Sequence, residues 1–519
     1  MTAGAWHSRP VVAALAFLAV CLALILLRPL LPVDETRYLT VAWEMWNGGS
    51  KFVPHLNGEV YSHKPPLLFW LINIVWMVTG PSEIAARMIG PAAGATAILL
   101  TGRLARALWP DEPARAGQAA WILATGGAFL VFGSATMFDT LLSVATLGAM
   151  LALWSLAERP SWGAIVTLGA ALGFGVLAKG PVILIHVLPV VLLLPLWRPR
   201  PSGTSAAVLA RSFGLAVLVA LALVGLWLGP ALIFGDAGYR NDILWRQTAG
   251  RMVSSFAHER PFWFFLALMP FYLWPWGWGR EVAAVWQRPV SPQVRFLGVW
   301  AGGALIAFSL VSGKQIHYLL PELAAFALIL SGGLHPPIGR WTRFIPMIPA
   351  ILVLGLAVGV LAGVVPGKLF EGNSVGPVEL ALAFVVTATA LALIRSADGR
   401  LTARLCVAPA TLIVVHLVVL QTLWRTNNPD QLAPLLSAHD KAGIATLDTG
   451  YAGQFSFAAR LPVPVQVLRD PEALAPWIAA HPDGLLLTRQ PLDLATLQLL
   501  REDMLHGDRW FAYLVGGAP

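Results

Sequence analysis

From residue 11 to residue 424 the chain alternates long apolar runs with short polar segments. Roughly 20 consecutive apolar residues cross a bilayer's hydrocarbon core as a helix. The runs near 11–31, 84–105, 116–135, 140–157, 162–178, 180–197 and 212–234 reach or approach that length. So do those near 262–279, 294–311, 318–334, 344–365, 376–395 and 403–424, so the pattern predicts about thirteen transmembrane helices. The run from Pro66 to Gly80 follows a Pro-Pro pair, is short for a crossing and carries Asn73, which predicts an interfacial helix. Val11 to Leu31 is longer than a secretory apolar core and lacks a small-residue cleavage site, so it reads as an uncleaved first span.

Composition agrees with a membrane bundle. Hydrophobic residues make up 57% of the 519 positions and charged residues 12%, with a mean hydropathy of +0.70. Soluble domains carry about 25% charged residues, so an ordinary soluble protein is excluded. The net charge of +8 comes from Arg in short loops, where membrane orientation accounts for it and nucleic acid is not required. With a cytoplasmic N-terminus and the Pro66–Gly80 run excluded as a span, every strongly basic short loop falls on the inner side. The outer face then collects residues 34–82, the turns at Asp139, Lys179 and Lys314–His317, the loop at 235–261 and the C-terminal tail. All six lysines fall on that face. Cys21 and Cys406 lie in apolar runs and predict neither a disulfide framework nor a metal site.

From residue 425 onward there are 10 acidic and 7 basic residues, against 17 and 28 before it, which marks a domain boundary. The pattern predicts a membrane domain over 1–424 and a small α/β domain over 425–519. In the tail we expect strands near 443–447, 463–468, 484–488 and 510–515, with helices over 471–480 and 491–502. It carries no catalytic constellation and reads as a lid or docking platform for the outer site.

On the outer face, Val33-Asp34-Glu35-Thr36-Arg37-Tyr38 opens a helix-like stretch. At helical spacing Arg37, Thr40, Glu44 and Asn47 share one face, and Leu39, Ala42, Trp43 and Trp46 another, predicting an amphipathic helix along the membrane surface. Asp34 and Asp139 are carboxylates at the heads of two segments on the same side. Arg37, Lys64 and Lys179 are cations suited to a phosphate at headgroup depth.

Those residues also carry a resemblance. The stretches Val33–Tyr38, Val53–Gly58 and Tyr61-Ser62-His63-Lys64-Pro65-Pro66-Leu67 resemble the first-loop signature of bacterial membrane glycosyltransferases of the protein O-mannosyltransferase and aminoarabinose (lipid A) transferase group, with the GT-C fold. Asp139, Leu177-Ala178-Lys179-Gly180-Pro181, Ala257–Trp263 and Lys314–Pro321 continue the likeness in order. The fold class implied is an all-α polytopic membrane bundle of GT-C type, with interfacial helices in the first outer loop and a small C-terminal α/β periplasmic domain. The resemblance implies a sugar donor carried on a polyprenyl phosphate such as undecaprenyl phosphate. Transfer is with inversion to a lipid, glycan or protein hydroxyl, on the periplasmic face of the bacterial inner membrane.

Carried over by position, Asp34 is the acid that takes or orients the acceptor proton and Asp139 the second carboxylate. Arg37, Lys64 and Lys179 face the donor phosphate, while Tyr61, Tyr318, Lys314 and Glu35 line the pocket. His63 and His258 are candidate ligands for a divalent metal, but no cofactor is expected to be required, because cations around the leaving phosphate can substitute for one. No Rossmann or P-loop glycine pattern follows a strand in the membrane part. The alternative class is a transporter or flippase of polyprenyl-linked lipid or sugar. Against it, the spans carry almost no charge apart from Glu322, and no half-to-half repeat is evident.

Overall fold

The structure is a computed structural model that describes residues 9–198, 204–245, 259–278, 282, 285, 289–332, 344–361, 377–396, 402–417, 424 and 427–516. The first apolar run forms the helix Pro10–Leu26, opened by a proline whose missing N–H costs nothing in a first turn. Five described stretches are long and apolar enough to cross a membrane: Glu83–Leu108, Asp139–Glu158, Trp162–Leu192, Ala207–Phe234 and Pro292–Leu310. A sixth candidate is the pair Ala114–Ala124 and Gly127–Gly133, bent by 62°. The bend has a visible cause: Gly126 is extended, and the Gly127 N–H donates to the Trp274 carbonyl while the Trp274 indole occupies the space a side chain would need. The chain is a multi-pass membrane protein.

The helices pack closely through small residues, as expected where lipid offers no hydrophobic drive between helices. At Gly169 an added Cβ would meet the Ala216 carbonyl and Val219 at 2.5 Å, so Trp162–Lys179 and Ala206–Phe234 approach backbone to side chain. Inside the stretch Trp162–Leu192, Gly180 at φ +74° turns the chain sharply after Lys179, so that Ile183 packs back onto Gly175 and Trp162–Lys179 and Ile183–Leu192 are separate helices.

Two expected spans take a different form. The run 262–279 is broken into Phe264–Ala267, Met269–Leu273 and Trp276–Trp278, because Pro270 and Pro275 remove the N–H groups a continuous helix needs. The run 318–334 begins as a tight 3₁₀ turn over Ile316–Leu319, and its α-helix is confined to Leu323–Ser331. The short run after the Pro-Pro pair is the 13-residue helix Leu67–Thr79, as expected in length and place.

Ahead of it, β1 (His55–Leu56) and β2 (Glu59–Val60) form a hairpin whose turn residues Asn57 and Gly58 both have positive φ. In the tail, β3 (Ile444–Thr446), β4 (Gln466–Val467), β5 (Leu485–Thr488), β6 (Leu497–Leu505) and β7 (Asp508–Val515) make one sheet in the order β4-β3-β5-β7-β6. The pairs β3–β4 and β3–β5 are parallel, and the β7 pairs antiparallel. Its faces carry separate apolar clusters, one around Phe455 and Trp510 and one around Trp477 and Phe511. The helix expected over 491–502 is instead loop and turn as far as residue 496 and strand from Leu497 onward. His506 and Gly507, both at positive φ, form a two-residue hairpin turn that commits the preceding segment to pair with β7.

The helix Asp34–Trp46 links the two parts. The tail covers only part of its polar side, expected to face water, and Asn47 at its end stays exposed. The Thr40 hydroxyl donates to the Gly453 carbonyl at 2.8 Å, and the Trp43 indole donates to the Leu461 carbonyl at 2.8 Å. Phe457 stacks on Trp76 at 5.5 Å, and Arg460 lies over the Phe457 ring. The Asn57 side chain donates to the Val465 carbonyl and accepts from its N–H, imitating a β-bridge across the two parts.

Candidate active site

The helix Asp34–Trp46 starts with two acids in its first turn, where the exposed N–H groups favour negative charge. Its position is set by Glu35. That carboxylate is paired with Arg28 at the end of the first span and accepts from the Leu31 N–H at 2.9 Å and from the Thr136 N–H at 2.7 Å. Arg28 also donates to the Ser134 carbonyl, and Arg87 donates to the carbonyls of Arg28 and Pro29. Burial alone would raise Glu35, but the Arg28 guanidinium outweighs it and holds the carboxyl at about 2. Glu35 is therefore no pocket-lining residue. It is the knot that fixes the head of the Asp34 helix against the 134–136 turn, three residues before Asp139.

Asp139 begins the helix Asp139–Glu158 and is 2% exposed. Its Oδ1 accepts from Lys179 Nζ at 2.5 Å, and its Oδ2 lies 3.8 Å from His317 Nε2. Lys179 Nζ also stands over the Tyr318 ring at 4.8 Å, and Lys64 Nζ over the Phe138 ring at 5.8 Å. Phe138 meets Tyr38 edge-on at 4.9 Å, and Tyr61 meets Phe69 at 6.3 Å.

The two carboxylates share this neighbourhood. Tyr38 feels the charges of Asp34 and Asp139; burial first, then those charges, push its phenol well above the ordinary range, so it keeps its proton. His317 lies within electrostatic reach of Asp139, Lys179, Lys64 and Asp34 together. Burial lowers His317 to about 4, with Lys179 and Lys64 acting in the same sense against the two carboxylates. Asp34 is half-exposed, with Arg37 beside it at 3.8 Å.

The structure thus gathers Asp34, Arg37, Tyr61, Lys64, Asp139, Lys179 and Tyr318 around one region. Two residues not singled out from sequence join them. Tyr38 lies four residues beyond Asp34, on the same helix face, and His317 adjoins Tyr318 in a turn already placed on the outer side.

Lys314 stands apart. Its ammonium donates to the carbonyls of Arg260 and Val311, fastening the turn to the 259–260 segment, so it does not line the pocket. His63 is exposed and packs beside Tyr61 at 5.2 Å, whereas His258 lies outside the described residues. Among the described residues no three His, Cys, Asp or Glu side chains converge as a metal site.

Residues 63–229 match the dolichyl-phosphate-mannose-protein mannosyltransferase family. Among characterised relatives, an undecaprenyl phosphate-α-4-amino-4-deoxy-L-arabinose arabinosyl transferase of Pseudomonas paraeruginosa is 31% identical over 63% of this chain and 60% of its own length. One from Pseudomonas fluorescens is 27% identical over 68% of this chain and 63% of its own length. The chain therefore spans less than two thirds of these relatives. In fold, the crystal structure of ArnT from Cupriavidus metallidurans bound to undecaprenyl phosphate superposes with a TM-score of 0.77, at 19% identity, covering 100% of both chains. The chain is similar to these transferases in sequence over part of its length, and it shares the fold of the ArnT structure. In this chain the first-loop helix, the Asp139 turn and the Lys179 turn are the elements that carry the gathered charges.

Proposed function

We propose that this protein is an inverting glycosyltransferase that moves a sugar from a polyprenyl-phosphate donor to an acceptor hydroxyl. The observation that carries the reading is the convergence of Asp34 and Asp139 with Lys64 and Lys179 around His317 and Tyr38. Attack at an anomeric carbon needs a base for the incoming hydroxyl and cations for the departing phosphate. Asp34, half-exposed beside Arg37, takes the acceptor proton as the acceptor oxygen bonds to the anomeric carbon. The bond from that carbon to the phosphate oxygen breaks, and the polyprenyl phosphate leaves against Lys64, Lys179 and Arg37. Asp139 keeps the Lys179 ammonium aimed at the site, while Tyr61 and Tyr318 supply the walls.

The named relatives support undecaprenyl phosphate as the carrier and 4-amino-4-deoxy-L-arabinose as the first sugar to try. The acceptor belongs to the class of lipid, glycan or protein hydroxyls. A transporter is the less favoured reading, since the relatives are transferases. About thirteen spans, a boundary near residue 424 and a site and tail on the periplasmic side of the inner membrane complete the proposal, supported by the basic loops on the opposite side. Cation neutralisation of the leaving group makes the transfer metal-independent. Direct binding of undecaprenyl phosphate to purified protein tests the site: Lys64→Ala and Lys179→Ala should each weaken binding at least tenfold, and chelator should leave turnover unchanged. Unaltered binding in both variants would remove the phosphate assignment.

A further inference from the structure

Inside the bundle, His186 and Glu322 form a pair the chemistry above does not use. His186 Nδ1 lies 2.6 Å from Glu322 Oε1, and both side chains are 0% exposed. The two other polar atoms, His186 Nε2 and Glu322 Oε2, have no hydrogen-bond partner among the described residues. Ionisable groups inside a membrane protein are costly, and the cost is tolerated where they perform a function. A buried polar pair is weak evidence for stability, since apolar residues of similar volume often serve as well.

The placement of the pair supplies a reason for it. His186 is in the helix Ile183–Leu192, which begins just after Lys179 and Gly180. Glu322 is the cap residue of Leu323–Ser331, and directly before it runs the Ile316–Leu319 turn that bears His317 and Tyr318. The pair therefore ties together the two segments whose outer ends hold Lys179 on one side and His317 and Tyr318 on the other. Phe308 fills the space between, 5.2 Å from His186 and 5.5 Å from Tyr318. Tyr272 braces the same turn by donating to the Ile316 carbonyl at 2.5 Å. A hydrogen bond has a direction and a length that an apolar contact lacks, so it sets register between the two segments where packing would allow slippage.

We infer that His186 and Glu322 are positioning residues that hold the His317–Tyr318 turn in register with Lys179, and so set the geometry of the donor-phosphate end of the site. The consequence for donor binding rests on the function proposed above; the register itself does not.

The test compares wild type with His186→Leu/Glu322→Leu, which keeps the site filled and dry, and with the single variant Glu322→Gln. Two readouts are taken on full-length protein whose thermal unfolding is recorded in parallel: the rate of carbethoxylation at His317, followed by mass spectrometry, and KM for undecaprenyl-phosphate-linked aminoarabinose. The expected result for the double variant is an unfolding temperature near wild type, His317 modified about tenfold faster, and donor KM raised about tenfold with acceptor KM unchanged. Glu322→Gln, which retains a hydrogen bond, should fall between the two, and it decides the matter if the double variant does not fold. Unchanged His317 reactivity in a folded variant overturns the inference, whatever the activity. If wild type shows no turnover while His317 reactivity rises in the variants, the positioning role stands and the proposed function fails.

Discussion

Lys179 and Asp139, forty residues apart, meet at 2.5 Å as the last residue of one helix and the first residue of its neighbour. Each charge suits its own helix end, the cation at a C-terminus and the carboxylate at an N-terminus, and each then answers the other. The pair joins two helices and keeps an ammonium pointed at the outer cluster.

Replacing Lys179 with Met leaves Asp139 buried without its nearest cation. Breaking a buried pair in this way costs about 3–5 kcal/mol, so the unfolding temperature in detergent should fall markedly. Asp139→Asn/Lys179→Met should recover most of that loss without recovering undecaprenyl phosphate binding. Equal recovery of both would mean the lysine serves structure alone.

Stability should respond to acid through His317. Its folded value of about 4 lies below the ordinary value of 6.5, so the folded protein resists a proton that the unfolded chain accepts. The stabilisation from the neutral imidazole is fully present above pH 6.5 and is lost as pH falls through about 4. His317→Gln should flatten the stability profile between those limits; an unchanged profile would contradict the buried neutral imidazole.

The Glu35 knot predicts a second acid limit, lower on the scale. With a folded value of about 2 against an ordinary 4.5, Glu35 contributes about 3 kcal/mol. That contribution is present above pH 4.5 and lost as pH falls through 2. Glu35→Gln should destabilise the protein at pH 7 and reduce transfer, because Arg28 is left buried and the Asp34 helix loses its tie to Thr136. A variant with wild-type stability would show the knot to be dispensable.

Docking of the tail rests on Asn57, which holds a left-handed conformation and bonds both backbone groups of Val465. Asn57→Ala removes two hydrogen bonds at about 1 kcal/mol each and places Ala at a positive φ. Limited proteolysis between residues 425 and 460 should quicken several-fold. Unchanged cleavage would locate the docking energy elsewhere on the interface.

Much of this arrangement was legible in the chain. Long apolar runs are a strong signal because bilayer thickness sets their length, and Asp34, Asp139, Lys64 and Lys179 stood out as charges beside such runs on one side. The rest depends on partners distant in sequence. Glu35 looks identical to Asp34 as a first-turn acid, and only the meeting of Arg28 with the 134–136 turn makes one a buried knot and leaves the other half-exposed. Lys314 reads from the sequence as a pocket residue beside Tyr318, yet local carbonyls occupy its ammonium. The strand Leu497–Leu505 reads as a helix because Leu, Gln and Arg favour one locally, and its tertiary pairing with β7 overrides that preference. The polar face of the Asp34 helix fits a wet surface equally well as a covered one, since Thr40 and Glu44 accept either water or protein partners.

The central claim, that Asp34 is the base of a glycosyl transfer, is tested most directly by Asp34→Asn in purified protein. Mass spectrometry follows release of undecaprenyl phosphate and formation of the glycosylated acceptor, with donor binding measured separately. The account predicts donor binding within about threefold of wild type and turnover at least a thousandfold slower, toward the upper end of the range for losing a general base. Wild-type turnover in that variant, or a wild-type protein that moves the lipid across a membrane and forms no covalent product, would contradict it.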